Sequence, residues 1–126
     1  MEKEFIPYEE ALELKELGFD EPCFGYYNVS NQELIEDLSN NRTGNDDSRW
    51  ASAPLYQQAF RWFRENYILD SIVQPTYSTK YQYRIFNVET KSKVQVYGDY
   101  MGKEFNTYEE AELACLKKLI ELVKNK

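Results

Sequence analysis

The sequence predicts an α+β fold: a small antiparallel sheet packed with helices, an α-β-β-β-α core over residues 52–124, and a short αβ unit ahead of it. Three observations carry this expectation. Residues 55–67 place Tyr56, Ala59, Phe60, Trp62, Phe63 and Tyr67 on one side of a helical repeat and Gln57, Gln58, Arg61, Arg64 and Glu65 on the other. Residues 79–88 and 93–97 alternate apolar and polar side chains, the period of a half-buried strand. Residues 107–126 open on Thr107-x-x-Glu110 and collect Lys117, Lys118, Lys124 and Lys126 toward the end, as a capped helix does. At 126 residues the chain is long enough for one core, so a single domain over 1–126 is expected.

Taken in order, Pro7 to Gly18 reads as a three-turn helix, with Pro at its start, Glu9 and Glu10 in its first turn and Gly at its end. Cys23-Phe24-Gly25-Tyr26-Tyr27-Asn28-Val29 has the aromatic content of a strand. Ser30-Asn31-Gln32-Glu33 has the spacing of a capping box, so Leu34 to Leu38 is expected to be a short helix. No apolar residue occurs from Ser39 to Arg49, and residues 39–51 are expected to form a mobile polar loop.

Ser52 is the expected cap of the second helix, with Pro54 tolerated in its first turn. Ile68 to Gln74 is a strand ended by Pro75. The hairpin that follows turns at Glu89-Thr90-Lys91-Ser92. Its alternation groups Lys80, Gln82, Arg84, Lys93, Gln95 and Tyr97 on one face against Tyr81, Tyr83, Ile85, Val94 and Val96. In the last helix Ala111, Ala114, Cys115, Leu119, Leu122 and Val123 form the stripe expected to be buried. The start of that helix, Phe105-x-x-Tyr108-Glu109-Glu110-Ala111, echoes Phe5-x-x-Tyr8-Glu9-Glu10-Ala11. The likeness fades after the Ala, which fits shared helix-start chemistry better than a duplicated unit.

Composition removes several chemistries. With no His there is no imidazole base, no Ser-His or Cys-His dyad and no imidazole metal site. The two cysteines, Cys23 and Cys115, lie too far apart in sequence for a metal framework. Neither common phosphate-binding loop is present. The adjacent acids Asp46-Asp47 fall in a polar loop, where solvated carboxylates are the ordinary outcome. No cofactor, no metal and no catalytic set are expected, and the chain is read as a non-enzyme. Charge is uneven: residues 1–50 carry 13 acids against 4 bases, a balance of −9, whereas residues 51–126 carry +2. A net charge of −7 is a poor basis for holding a polyphosphate backbone, so direct nucleic-acid binding is not expected. The first residues lack the basic start and apolar run of a secretion signal. No apolar run approaches the roughly 20 residues of a membrane span, so a cytoplasmic protein with reduced thiols is expected.

The α-β-β-β-α order, closed by a Thr-x-x-Glu-Ala helix, resembles the double-stranded-RNA-binding domain in topology. Where that family presents basic side chains to RNA at the start of its last helix, this chain has Tyr108, Glu109, Glu110 and Glu112, which repel phosphate. Three blocks of sequence, Glu21-Pro22-Cys23-Phe24, Ser52 to Glu65 and Thr107 to Leu116, resemble a group of small phage and prophage accessory proteins. That likeness implies a mobile-element origin and a bacterial host cytoplasm, and it brings no activity with it.

The functional expectation is a non-catalytic, phage-encoded accessory protein that binds a host protein, in the manner of a counter-defence inhibitor such as an anti-restriction or anti-CRISPR protein. The alternative is a protein that binds a small molecule, a nucleotide or signalling ligand, by aromatic stacking and strand bases. The candidate binding residues are Trp50, Lys80, Arg84, Lys93 and Tyr97: aromatics at sheet margins and bases on the polar hairpin face. A sheet with one uncovered face and edge also leads to the expectation of a two-fold homodimer.

Overall fold

The computed structural model describes residues 2–37, 45, 47–90, 93–97 and 104–125, and the side chains of these residues other than 2 and 88–97. The fold is α+β. After a single 3-10 turn the order is α1 (Tyr8–Glu16), β1 (Gly25–Asn28), β2 (Glu33–Glu36), β3 (Trp50–Ser52), α2 (Tyr56–Tyr67), β4 (Leu69–Pro75), β5 (Tyr81–Thr90), β6 (Lys93–Tyr97) and α3 (Tyr108–Lys124). The second half therefore has the expected α-β-β-β-α order. No described helix is long and apolar enough to cross a membrane.

The chain divides into two compact units, Met1–Ala59 and Phe60–Lys126, at a point within α2. Residues 51–59 carry no charge, so the first unit keeps the whole balance of −9 and the second +2.

In the first unit β1 is central in a three-stranded antiparallel sheet, with order β2-β1-β3. Gly25 is required there: a Cβ would come within 2.8 Å of the Phe5 ring and 3.3 Å of the Leu34 side chain. Tyr27 lies on the same face. Its buried hydroxyl donates to the Ile6 carbonyl at 2.7 Å, and its ring meets Tyr8, at the start of α1, edge-on at 5.5 Å. Ala11 and Leu14 of α1 are fully buried. Burying Leu14 alone contributes roughly 1.5–3 kcal/mol.

Three expectations fail in this unit. Leu34 to Leu38 was expected as a helix, but Glu33–Glu36 is strand β2, paired antiparallel with β1. Polar side chains close a turn where a helix would have begun. The Asn28 side-chain oxygen accepts from the Ser30 N–H and hydroxyl, the Asn31 oxygen accepts from the Glu33 N–H, and Gln32 adopts φ +61°. Asn and Ser compete with a helix for its own N–H groups in this way. The polar loop also ends early. Trp50 and Ala51 belong to β3, and Ser52 is a buried strand residue rather than the cap of α2, which starts at Tyr56. Segment 45–52 is held by side chains. Lys15 Nζ donates to the carbonyls of Asp47 and Trp50, both at 2.7 Å, while Asn45 donates to the Phe19 carbonyl and accepts from the Ser52 N–H. Residues 39–44 and 46 of the expected loop lie outside the described residues.

In the second unit the sheet order is β4-β5-β6, antiparallel throughout, and α3 packs on β4 and β5. Tyr83 and Ile85 are buried as the alternation of β5 requires. The expected apolar side of α2 is buried at Tyr56, Ala59, Phe60, Trp62 and Phe63. On α3 the buried stripe is Ala111, Glu112, Cys115, Leu116, Leu119, Ile120 and Val123. It sits slightly round the helix from the expected one, taking in Leu116 and Ile120 while Ala114 and Leu122 are half-buried.

The hairpin register corrects a second grouping. β6 pairs Tyr97 with Ile85, Val96 with Phe86 and Gln95 with Asn87, and a bulge between Asn87 and Thr90 shifts the pairing by one residue. Positions 95 and 97 thus take the register of Asn87 and Ile85, not that of Arg84 as expected. One inserted residue shifts the register of everything beyond it.

The echoed helix starts share a local device. Phe5 forms an isolated antiparallel bridge with Leu55, and Phe105 forms one with Tyr81. In each case a helix begins three residues later with Tyr, and its Ala is fully buried. The caps differ. Thr107 Oγ1 accepts from the Glu110 N–H at 3.1 Å, whereas Pro7 makes no side-chain cap.

Candidate functional site

Alternation along β1 gives its two faces opposite characters. Gly25 and Tyr27 turn toward α1, so Tyr26 and Asn28 turn away from it. The antiparallel register then fixes their neighbours. Tyr26 stands between Ile35 on β2 and Ser52 on β3, and Asn28 stands between Glu33 and Trp50. This outer face therefore carries an aromatic pair, an isoleucine and a carboxylate in two adjacent rows.

The Tyr26 and Trp50 rings meet edge to face, with centroids 5.1 Å apart and planes at 89°. Such a pair contributes about 0.5–1.5 kcal/mol beyond the area it buries, and it holds both rings in fixed orientations. Tyr26, Trp50 and Ile35 are each half-buried, and Glu33 is exposed. The backbone under Trp50 is fixed as well: its carbonyl accepts from Lys15, and its N–H donates to the Asp47 carbonyl at 3.2 Å. Asp47 in turn forms an ion pair with Arg49 at 2.8 Å, and the hydrogen bonds from Arg49 hold the Asp47 carboxyl down to about 2.

The other candidate residues lie in the second unit. Lys80 is exposed but belongs to the β4–β5 turn, where its carbonyl accepts from the Thr76 N–H at 2.8 Å and its own N–H donates to Thr76 Oγ1. Arg84 is in mid-strand on β5, opposite Ile72, and is half-buried. Arg84 lies four positions beyond Lys80, roughly 13 Å along an extended chain. Lys93 and Tyr97 belong to β6 and their side chains lie outside the described residues. The five residues are thus divided between the units, and the structure adds Tyr26, Ile35 and Glu33 to Trp50. Tyr26 was legible only as part of an aromatic strand, and the structure places that strand at the centre of its sheet. Ile35 and Glu33 were concealed by the capping-box spacing, and Glu33-Leu34-Ile35-Glu36 has no polar–apolar alternation to mark it as a strand.

Both thiols are built into the interior. Burial pushes the Cys23 thiol up to about 12, with the Glu21 charge adding to the effect, and burial likewise pushes Cys115 to about 12. Neither is a thiolate nucleophile near neutral pH. Among the described residues no group of three or more acidic or Cys side chains could hold a metal ion.

The chain matches no protein-family model, no curated protein and no solved structure. The geometry of the site is therefore the ground for a functional reading.

Proposed function

We propose that this protein is a non-catalytic, phage-encoded accessory protein that binds a host protein through the outer face of its first sheet. One observation carries the reading. The Tyr26–Trp50 pair sits on a sheet face turned from its own helix, in the unit that holds the whole −9 of charge imbalance. Fixed, half-buried Tyr and Trp side chains are the residues over-represented where binding energy concentrates, because they offer contact area at little cost in side-chain freedom. The net negative charge of this unit steers association toward a basic partner and makes the encounter rate depend on salt. A host protein with a basic, nucleic-acid-handling surface fits both properties, and a counter-defence inhibitor is the corresponding biological role in the bacterial cytoplasm.

Affinity capture from bacterial lysate at low and at high salt tests the reading. The expected result is a retained host protein that is released as salt rises. Retention of nothing at low salt contradicts it.

A further inference from the structure

The Tyr26–Trp50 face does more than offer apolar area, and its chemistry narrows what the partner presents. We infer that it reads an arginine side chain; this rests on the docking role proposed for the same face. Trp50 and Glu33 occupy the two outer positions of one cross-strand row, on either side of Asn28. Two strand spacings, about 10 Å, separate their backbones. Tyr26 lies in the next row, and its ring closes on Trp50 at 5.1 Å. An exposed carboxylate and an aromatic pair therefore share one sheet face, on either side of Asn28, and the backbone under each is fixed. The Glu33 N–H is held by the Asn31 side chain, the Asn31 amide donates to Glu33 Oε2 at 3.4 Å, and Lys15 holds the Trp50 carbonyl.

That arrangement suits a guanidinium better than other common groups. A planar, weakly hydrated cation stacks on an indole or phenol face, and its N–H fork meets a carboxylate in two parallel hydrogen bonds. An ammonium is a compact, strongly hydrated charge that gains less from the aromatic pair. An anion is repelled by the Glu33 carboxylate. The partner is therefore an arginine-bearing segment of a basic protein.

The test is a titration of the 15N-labelled full chain at low salt with a short arginine-rich peptide, its lysine counterpart and its citrulline counterpart. The two tryptophan indole N–H signals are followed. Trp62 is 5% exposed and serves as an internal control. The arginine peptide is expected to shift the Trp50 signal and not the Trp62 signal, and to bind about three- to fivefold more tightly than the lysine peptide. Trp50→Ala and Glu33→Gln are each expected to remove that preference; the second alters only an exposed side chain and leaves the fold intact. Equal binding of the arginine and lysine peptides, unchanged by Glu33→Gln, overturns the arginine reading and leaves acidic docking standing. Binding of neither cationic peptide overturns both.

Discussion

The two units use the same opening and diverge in what they build on it. Each joins a bridging phenylalanine to a helix through Phe-x-x-Tyr-Glu-Glu-Ala, and each contributes a three-stranded antiparallel sheet. The first spends 9 residues on its helix, leaves that helix without a side-chain cap, and gathers the acids. The second has a 17-residue helix with a threonine cap, a longer hairpin and nearly balanced charge. The two differ in helix length, capping and charge rather than in the kind of sheet they build.

The largest expected effects come from emptying the two interiors. Leu14 and Leu116 are both fully buried, and each Leu→Ala change should cost about 2–5 kcal/mol, read as a loss in chemical denaturation. The buried thiols report where that loss falls, because Cys23 lies in the first unit and Cys115 in the second. Leu14→Ala should speed labelling of Cys23 more than of Cys115, and Leu116→Ala should do the reverse. Equal acceleration of both thiols by either change would break the division into units.

High pH sharpens the same comparison. Each thiol is raised in the folded state from an ordinary value of 9.0 to about 12, so the unfolded chain loses these protons first. The stability linked to them is fully present below pH 9 and falls as pH rises toward 12. Melting curves across that range should decline in wild type, and Cys23→Ala or Cys115→Ala should each flatten part of the decline.

Much of this difference is legible in the sequence, and the second unit is the easier of the two to read. Residues 55–67, 79–88 and 107–124 have periods that no alternative structure satisfies, so α2, β5 and α3 emerge with their buried faces nearly right. The first unit is harder because its elements are short. In Ser30-Asn31-Gln32-Glu33 the same spacing serves a helix cap and a hairpin turn, and only the cross-strand partners Tyr26 and Tyr27 decide between them. Trp50 at the margin of a polar run shows its strand only through pairing with Asn28. The bulge after Asn87 is a one-residue event with no compositional mark, and it was enough to misplace Tyr97.

Smaller effects follow from the helix ends. Thr107→Ala should cost about 1 kcal/mol by freeing the Glu110 N–H, and Thr107→Ser should restore most of it. No such cap exists at Pro7, so no threonine-like loss is available at the start of α1. The smallest change should be a gain. Ile68 joins α2 to β4 at φ +59° with 40% of its surface exposed, a conformation that a β-branched residue adopts only under strain. Ile68→Gly should raise stability by about 0.5–1 kcal/mol, seen as a higher melting temperature.

The claim that the first unit holds the binding face is tested most directly by capturing lysate proteins with two double variants beside wild type. One is Tyr26→Ala with Trp50→Ala in the first unit, and the other is Lys80→Ser with Arg84→Ser in the second. Circular dichroism of each confirms that it is folded. Wild type and the Lys80/Arg84 variant should retain the same host protein, and the Tyr26/Trp50 variant should lose it. Retention by the folded Tyr26/Trp50 variant, with loss from the Lys80/Arg84 variant, would contradict the claim.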